Sequence, residues 1–527
     1  MSKIDLSTLG GIYTRITDKT EVCVFLNADR LSFFRYCQSF EEVSARLCEH
    51  NERETHLYAA YSYGGDGIFV NYYPAIKELT IVYEKSCPYF DRDCGFIADP
   101  VCLPQITQLH LEDFGMSYVI RLSDGRLIVI DGGRELEPDA DNLYKTLSEQ
   151  SPEKLPTIAC WIMSHPHSDH FYCFIKFMEK YGELVNIQSF MLNFPRFDDL
   201  EHYPKLAAKD PRTFAAGIRF DDTSSYANIP IFEQLMKKTG AEILIAHTGQ
   251  TYLIGNASFE VLSSIEDTIH LSQNINAASL VLRMELGAQV TLWTTDAACS
   301  VARLAERYGD YLKADILQVP HHGFGSGTPE AEIECYELIK PHTCLLPVSD
   351  FNAYTAFCAH KPSARYLMTQ CGISEMITGD VQRTLTLPYT PRSSGKDELK
   401  RKYIQGQSNA GSTTWVFSQL STAKESDLVF TFINATHAPT TVWAELFFES
   451  KAAAIRWIGI ELPALSSRIV NIVGDEVKPD EVYFNSMSLS INGLPENAQF
   501  TVRFMSDIPI FVSHSEHSPL YHSTATY

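Results

Sequence analysis

Apolar residues in this chain gather in short runs closed by turn residues. Arg126–Asp131, Thr157–Met163, Val290–Trp293 and Ala314–Val319 are rich in Val, Ile, Leu and Trp. Runs of this length read as buried strands. The stretch Phe171–Met178 reads as a helix, and the middle of the chain alternates strand and helix. The first hundred residues predict a strand over Glu21–Leu26, a helix over Phe40–Glu49, and strands at His56–Tyr63, Gly67–Tyr73 and Glu78–Glu84. Gly64-Gly65-Asp66-Gly67 supplies the turn between the first two of these. The last part alternates or runs apolar at Asp427–Asn434, Thr441–Phe448, Arg468–Ile472 and Phe500–Met505, which suggests an all-β sandwich. The expected organisation is an N-terminal α+β unit (1–105), an α/β domain (106–395), a polar Gly/Ser linker (396–411) and a C-terminal β-sandwich (412–527).

One segment carries chemistry. Ser164-His165-Pro166-His167-Ser168-Asp169-His170 follows a buried strand directly. As packing, this segment would bury ring nitrogens and a charge without partners. As metal ligands, the same residues make sense. His165 and His167, two apart, point to one side, and Pro166 stiffens the turn between them. That pair suits one metal, and Asp169 with His170 suits a neighbouring one. Imidazole and carboxylate donors fit zinc, with manganese or iron also compatible.

The His-x-His-x-Asp-His pattern resembles the metallo-β-lactamase superfamily, and further features fall in that family's order. The resemblance implies an αββα sandwich over roughly 106–395. It implies that Asp131, at the end of Arg126–Gly133, lies beneath the metals and hydrogen-bonds to their ligands. Asp296, closing Val290–Asp296, would bridge the two metals, although the chain has Thr295 where the family usually has Gly. Pro320-His321-His322-Gly323 resembles the late histidine motif. On this reading His321 is the last ligand of the second metal, and His322 faces substrate. Asn276–Leu282, the Pro-His-His-Gly motif and His360-Lys361-Pro362 resemble the ComEC-type competence nuclease domain and bacterial choline-phosphate esterases. That branch implies hydrolysis of a small anionic phosphodiester by a metal-bridging hydroxide, with two divalent ions, zinc first. Asp169, His322 and His360 are then the candidates to act on substrate. Thioester, lactone or lactam hydrolysis on the same fold is the alternative, as is a non-catalytic metal- or ligand-binding signalling protein. His247 is either a further ligand of the first metal or part of a hairpin surface; His202 and His270 are its rivals as ligand. In the last part, Phe432–Ala435, Ala444–Phe448 and Ser506–Ser513 resemble the sensory-rhodopsin transducer family, so this sandwich is expected to bind a ligand or protein partner. His514, His517 and His522 read as strand-end histidines.

Composition narrows the function further. At 527 residues the chain has room for about three domains. Its 43 basic and 65 acidic residues give a net charge of −22, without a basic patch, which argues against long nucleic acid as a ligand. No apolar run approaches the roughly 20 residues of a membrane span, and Met1–Asp5 begins no apolar leader. Thirteen cysteines, an odd number without paired motifs, suggest buried reduced thiols and a cytoplasmic setting. Cys173 belongs with them, as part of an apolar helix.

Overall fold

The structure is a computed structural model. It describes residues 5–87, 99–113, 115–194, 228–268, 271, 275–297, 299–325, 327–349, 353, 361–391, 412–421, 427–448, 455–471, 499–518 and 521–525. These residues form two compact units, one from the described residues up to 391 and one from residue 412 onward. The expected linker 396–411 lies outside the described residues, as do His202, His270 and His360.

Three sheets build the first unit. The N-terminal sheet is antiparallel and runs Ile12–Arg15, Thr20–Phe25, Glu78–Glu84, Asp66–Tyr73, Leu57–Tyr63, Arg46–Glu52. Gly64 and Gly65, both at positive φ, make its tightest turn. The helix expected over Phe40–Glu49 is displaced. The chain is helical over Arg30–Glu42, where the Asp29 carboxylate caps the first turn by accepting from Ser32 N at 2.7 Å. Arg46–Glu52 is instead the edge strand against Leu57–Tyr63. Strand pairing there overrides a local helical pattern, and Ser44 at φ 68° makes the break.

The second sheet holds Glu242–Ile245, Ser189–Leu192, Thr157–Ile162 and Leu127–Asp131 in parallel. It continues antiparallel through Ser117–Arg121, Gln105–Gln108 and Arg383–Thr386. The third sheet runs Thr251–Ile254, Ala257–Ser263, Val281–Leu286, Gln289–Trp293 antiparallel, then Ile316–Gln318, Thr343–Leu345 and Glu375–Ile377 parallel. Alternation decides what each face meets. Ile128 and Ile130 join a core shared with Phe259, Leu282 and Met284 of the third sheet, whereas Leu127 and Val129 join a core with Leu143, Phe174 and Phe177 of the covering helices. An irregularity between Ile158 and Cys160 shifts the phase of that strand, so that Cys160 and Ile162 face one core and Trp161 and Met163 the other.

The N-terminal sheet packs into the same core through Val22, Val24, Tyr58, Phe69 and Val82. Polar contacts fix its register on the third sheet. Arg53 pairs with Glu260, Asn71 Nδ2 donates to Thr248 O at 3.1 Å, and the Glu49 carboxylate accepts from Thr251 N at 3.1 Å. Arg307, 2% exposed, joins Glu78 of the N-terminal sheet to Asp267 of the short helix Ile265–Thr268 at 2.8 and 2.9 Å. Its guanidinium lies over the Tyr73 ring.

In the second unit, Gln499–Ser518 is the organising strand. Its first half pairs with Ser412–Ser421 and Thr440–Phe448, and its second half with Asp427–Asn434 and Tyr521–Ala525. Trp415, Phe417, Phe430, Phe432 and Phe504 fill the core. Arg503 and Glu445 form a buried ion pair at 2.6 Å. His514 and His517 lie along the organising strand and His522 on its partner. Among the described residues no helix is long and apolar enough to cross a membrane.

Two expectations follow from the docking of the N-terminal sheet. Gly249 sits at φ 92°, and a Cβ there would overlap the Tyr58 ring and Asn71 Oδ1. Gly249→Ala should therefore lower unfolding free energy by more than about 2 kcal/mol in urea melts; a change within ~0.5 kcal/mol would show that the contact is slack. Burial pushes the Glu49 carboxyl up to about 7, despite its hydrogen bond from Thr251. The folded state thus binds this proton more tightly than the unfolded one. Glu49's contribution is most favourable below about pH 4.5 and weakens as pH rises toward 7. Wild type should lose about 1–3 kcal/mol relative to Glu49→Gln across that window, and parallel stability–pH curves for the two proteins would refute this.

Candidate metal centre

The site is assembled at the carboxyl ends of strands from the second and third sheets, where α/β architectures present loops to ligand. Asp131 ends its strand fully buried, at φ 55°. Its carboxylate accepts from Ser164 N at 2.8 Å through Oδ1, and through Oδ2 meets Ser164 Oγ at 2.7 Å and His170 Nδ1 at 2.7 Å. Its backbone carbonyl accepts from Trp161 Nε1 at 2.9 Å. One side chain therefore ties the strand Leu127–Asp131 to the turn after Thr157–Ile162 and to the helix Ser168–Tyr181. Gly132 and Gly133 allow the close approach, since Gly133 exchanges backbone hydrogen bonds with His170 and Cys173. Cys173 is a fully buried core thiol of that helix.

Two donor groups converge above this anchor. His165, His167 and Asp296 form one, and Asp169, His170 and His322 the other; within each group the ligand atoms all lie within 4.8 Å of one another. Asp296 stands between them. Its Oδ2 is 3.8 Å from His165 Nε2, 3.3 Å from His170 Nε2, 3.4 Å from His322 Nε2 and 3.9 Å from His321 Nε2. Ser164 Oγ meets His165 Nδ1 at 2.9 Å, so the ring's other nitrogen faces the group.

The late histidines differ from the sequence expectation. His321 was expected among the ligands and His322 beside them. The structure instead brings fully buried His322 into the group, with Nε2 3.0 Å from His170 Nε2 and 3.3 Å from Asp169 Oδ2. His321 turns to the rim. Its Nδ1 meets Gly325 O at 2.9 Å and its Nε2 meets Asn276 Nδ2 at 3.0 Å. Both residues are left-handed, at φ 47° and 51°, and this tight turn decides which ring points inward. His247 is neither in a donor group nor on a surface. It is fully buried, stacked on Phe69 and bonded to Glu266 at 2.8 Å. Asn276 entered the sequence reading as part of a motif and without a role. Its position just before Val281–Leu286, the strand paired with the one leading to Asp296, was the available signal.

Burial and charge oppose each other throughout. Burial holds His165 well below the ordinary imidazole range and lowers His167 and His321 as well. Burial also presses on His170, but Asp296, Asp169 and Asp131 outweigh it and hold that ring well above the range. His322 is raised in the same way, Asp296 and Asp169 outweighing burial. Burial pushes Asp169 and Asp296 up, yet His170 and His322 reverse this and hold both carboxyls low. The pocket therefore keeps its carboxylates ionised and calls for positive charge between them. Asp296 Oδ1, buried and with no hydrogen-bond partner among the described residues, carries a penalty of about 1–3 kcal/mol that a cation would remove. Four imidazoles and two carboxylates suit zinc, manganese or iron.

No family model and no curated protein matches the chain. Among solved structures, the Anabaena sensory rhodopsin transducer is 16% identical over 20% of this chain and 87% of its own, with a TM-score of 0.16. The Thermotoga maritima 1070 structure is 12% identical over 22% and 91%, at 0.17. Igni18, a metallo hydrolase from Ignicoccus hospitalis, is 12% identical over 54% and 99%, at 0.30. These likenesses are too slight to bear on the site, which rests on its own geometry.

Native protein should carry close to two divalent metals per chain by elemental analysis. His167→Ala should lower occupancy of one position, and Asp296→Ala of both. Native protein without metal, and without uptake on reconstitution, would remove the basis for a metal centre.

Proposed function

We propose that this protein is a dinuclear metal-dependent hydrolase of the αββα metallo-β-lactamase arrangement and that its substrate is a phosphodiester. The observation that carries the reading is Asp296, whose Oδ2 lies within 4 Å of nitrogens from four histidines. A carboxylate so placed suits a bridge between two ions. His165, His167 and Asp296 would hold one ion, and Asp169, His170 and His322, with Asp296, the other. When bound, the two ions would acidify a water molecule and offset negative charge growing on the attacked group.

The chain's own residues then divide the remaining work. Asp131 fixes the His170 ring and the Ser164 turn, so that neither must reorganise during reaction. His321, with a side chain 17% exposed, stands at the rim, where a substrate would enter. To move a proton to or from the reacting oxygen, its Nε2 would exchange Asn276 for substrate. Charge favours an anionic substrate. The ions would present positive charge to the reacting group, which a phosphodiester anion offsets at the attacked atom where a neutral lactam or thioester group does not.

Metal-loaded protein should hydrolyse bis-p-nitrophenyl phosphate faster than a β-lactam or a glutathione thioester. His321→Ala should lower turnover by roughly 10²-fold or more with metal content retained. His322→Ala should lose metal. Efficient thioester or lactam turnover without phosphodiesterase activity would overturn the substrate, and full metal content without turnover of any class would overturn the hydrolase.

A further inference from the structure

Gln318 is a polar residue in an apolar place. It closes the strand Ile316–Gln318, is fully buried, and pairs with Trp293 of the neighbouring strand. Its side chain therefore lies on the face where Ile316 and Trp293 join the core. An amide buried there is costly unless its donors and acceptor are matched. Oε1 accepts from Thr295 N, and Nε2 donates to Val319 O at 2.7 Å and to Thr295 O at 3.3 Å. A backbone N–H only donates and a carbonyl only accepts, so the amide fits one way round.

The two turns that carry the late donors meet on this side chain. Thr295 precedes Asp296, and Val319 precedes the Pro320–Gly323 turn with its two histidines. Thr295 O also accepts from His321 N at 2.8 Å, and Gln318 O accepts from Thr294 Oγ1 at 2.6 Å. Thr295 sits at φ 48°, in the left-handed region that a β-branched residue resists. Its hydroxyl points elsewhere, to Leu280 O at 2.7 Å. The backbone angles of a residue are the relative setting of the peptide planes on its two sides. Gln318 holds the N–H of one plane and the C=O of the other, and so holds both angles.

We propose that Gln318 is a positioning residue for the metal centre: by gripping both peptide planes of Thr295 it maintains the left-handed turn from which the Asp296 carboxylate reaches both donor groups. This role rests on the metal-centre reading for its consequence, while its geometry stands without it. Asp296 Oδ2 faces His165 from the Ser164 turn, His170 from the helix Ser168–Tyr181, and His321 and His322 from the Pro320–Gly323 turn. Rotation at Thr295 would carry the carboxylate away from all of them together. The protein rather than the ion then forms the turn, and an arriving ion meets a carboxylate already in place.

The test uses full-length protein and zinc alone. Gln318→Met keeps the length and suits the apolar face, but removes the amide's hydrogen bonds. It should still unfold cooperatively, yet bind zinc about tenfold or more weakly at both positions in chelator competition, and its cobalt-loaded form should show an altered visible spectrum. Thr295→Gly, added to Gln318→Met, should restore most of the affinity, because glycine adopts the left-handed angle without resistance. Ile316→Val, a loss of packing on the same strand and face, should leave zinc affinity unchanged. In wild type, the Thr295 N–H should exchange slowly with and without zinc, a measurement that needs no variant to fold. Full zinc affinity in Gln318→Met, or no rescue by Thr295→Gly, would overturn the proposal. An equal loss in Ile316→Val would do the same, as would a Thr295 amide protected only when zinc is bound. If wild type takes up no zinc, the metal-centre reading fails, while exchange at Thr295 still decides whether Gln318 holds the turn.

Discussion

A single buried carboxylate holds the site in register. Asp131 closes a strand in the sheet interior, adopts a left-handed backbone conformation, and engages Ser164 and His170 with both its oxygens. A carboxyl group in such a place is costly unless its oxygens find partners. Here satisfying them is also what positions the ligands. His165 follows the bonded serine directly, and His170 is bonded itself. Remove this carboxylate and two turns lose their common support, along with the hydrogen bond that leaves His170 Nε2 facing the donor group.

Above that anchor the electrostatics are reciprocal. The histidines that face carboxylates are pushed toward charge, and the carboxylates are held ionised in return. Protonated imidazoles and bound cations answer the same demand, so the pocket is organised around positive charge whichever form supplies it. His165 and His167, pressed the other way by burial, present neutral rings, the form in which imidazole binds a metal.

Much of this was legible in the residues alone. The buried strands of the second sheet announce themselves because runs such as Leu127–Asp131 and Thr157–Ile162 bury both faces and need no polar alternation. The His-x-His-x-Asp-His segment is legible because its composition has no good packing explanation. Three features were not legible, each for a physical reason. Arg46–Glu52 carries a helix-compatible pattern, and only its hairpin pairing with Leu57–Tyr63 makes it a strand. Which of His321 and His322 points inward depends on two left-handed backbone angles that neighbouring histidines do not encode in their identity. The burial of His247 depends on Phe69, from a sheet whose docking there no local pattern of residues announces.

That same sheet has a consequence for how the protein is made. Its inward face, with Tyr58 and Phe69, leaves the ribosome long before the strands that cover it. The Asn71–Thr248 contact spans 177 residues and the Arg53–Glu260 pair 207. At about 5–20 residues per second of synthesis, the face waits roughly 10–40 seconds for its partner. During that interval an apolar surface and an edge strand are open to other chains. The N-terminal sheet is thus the part of the first unit that stays uncovered longest during synthesis.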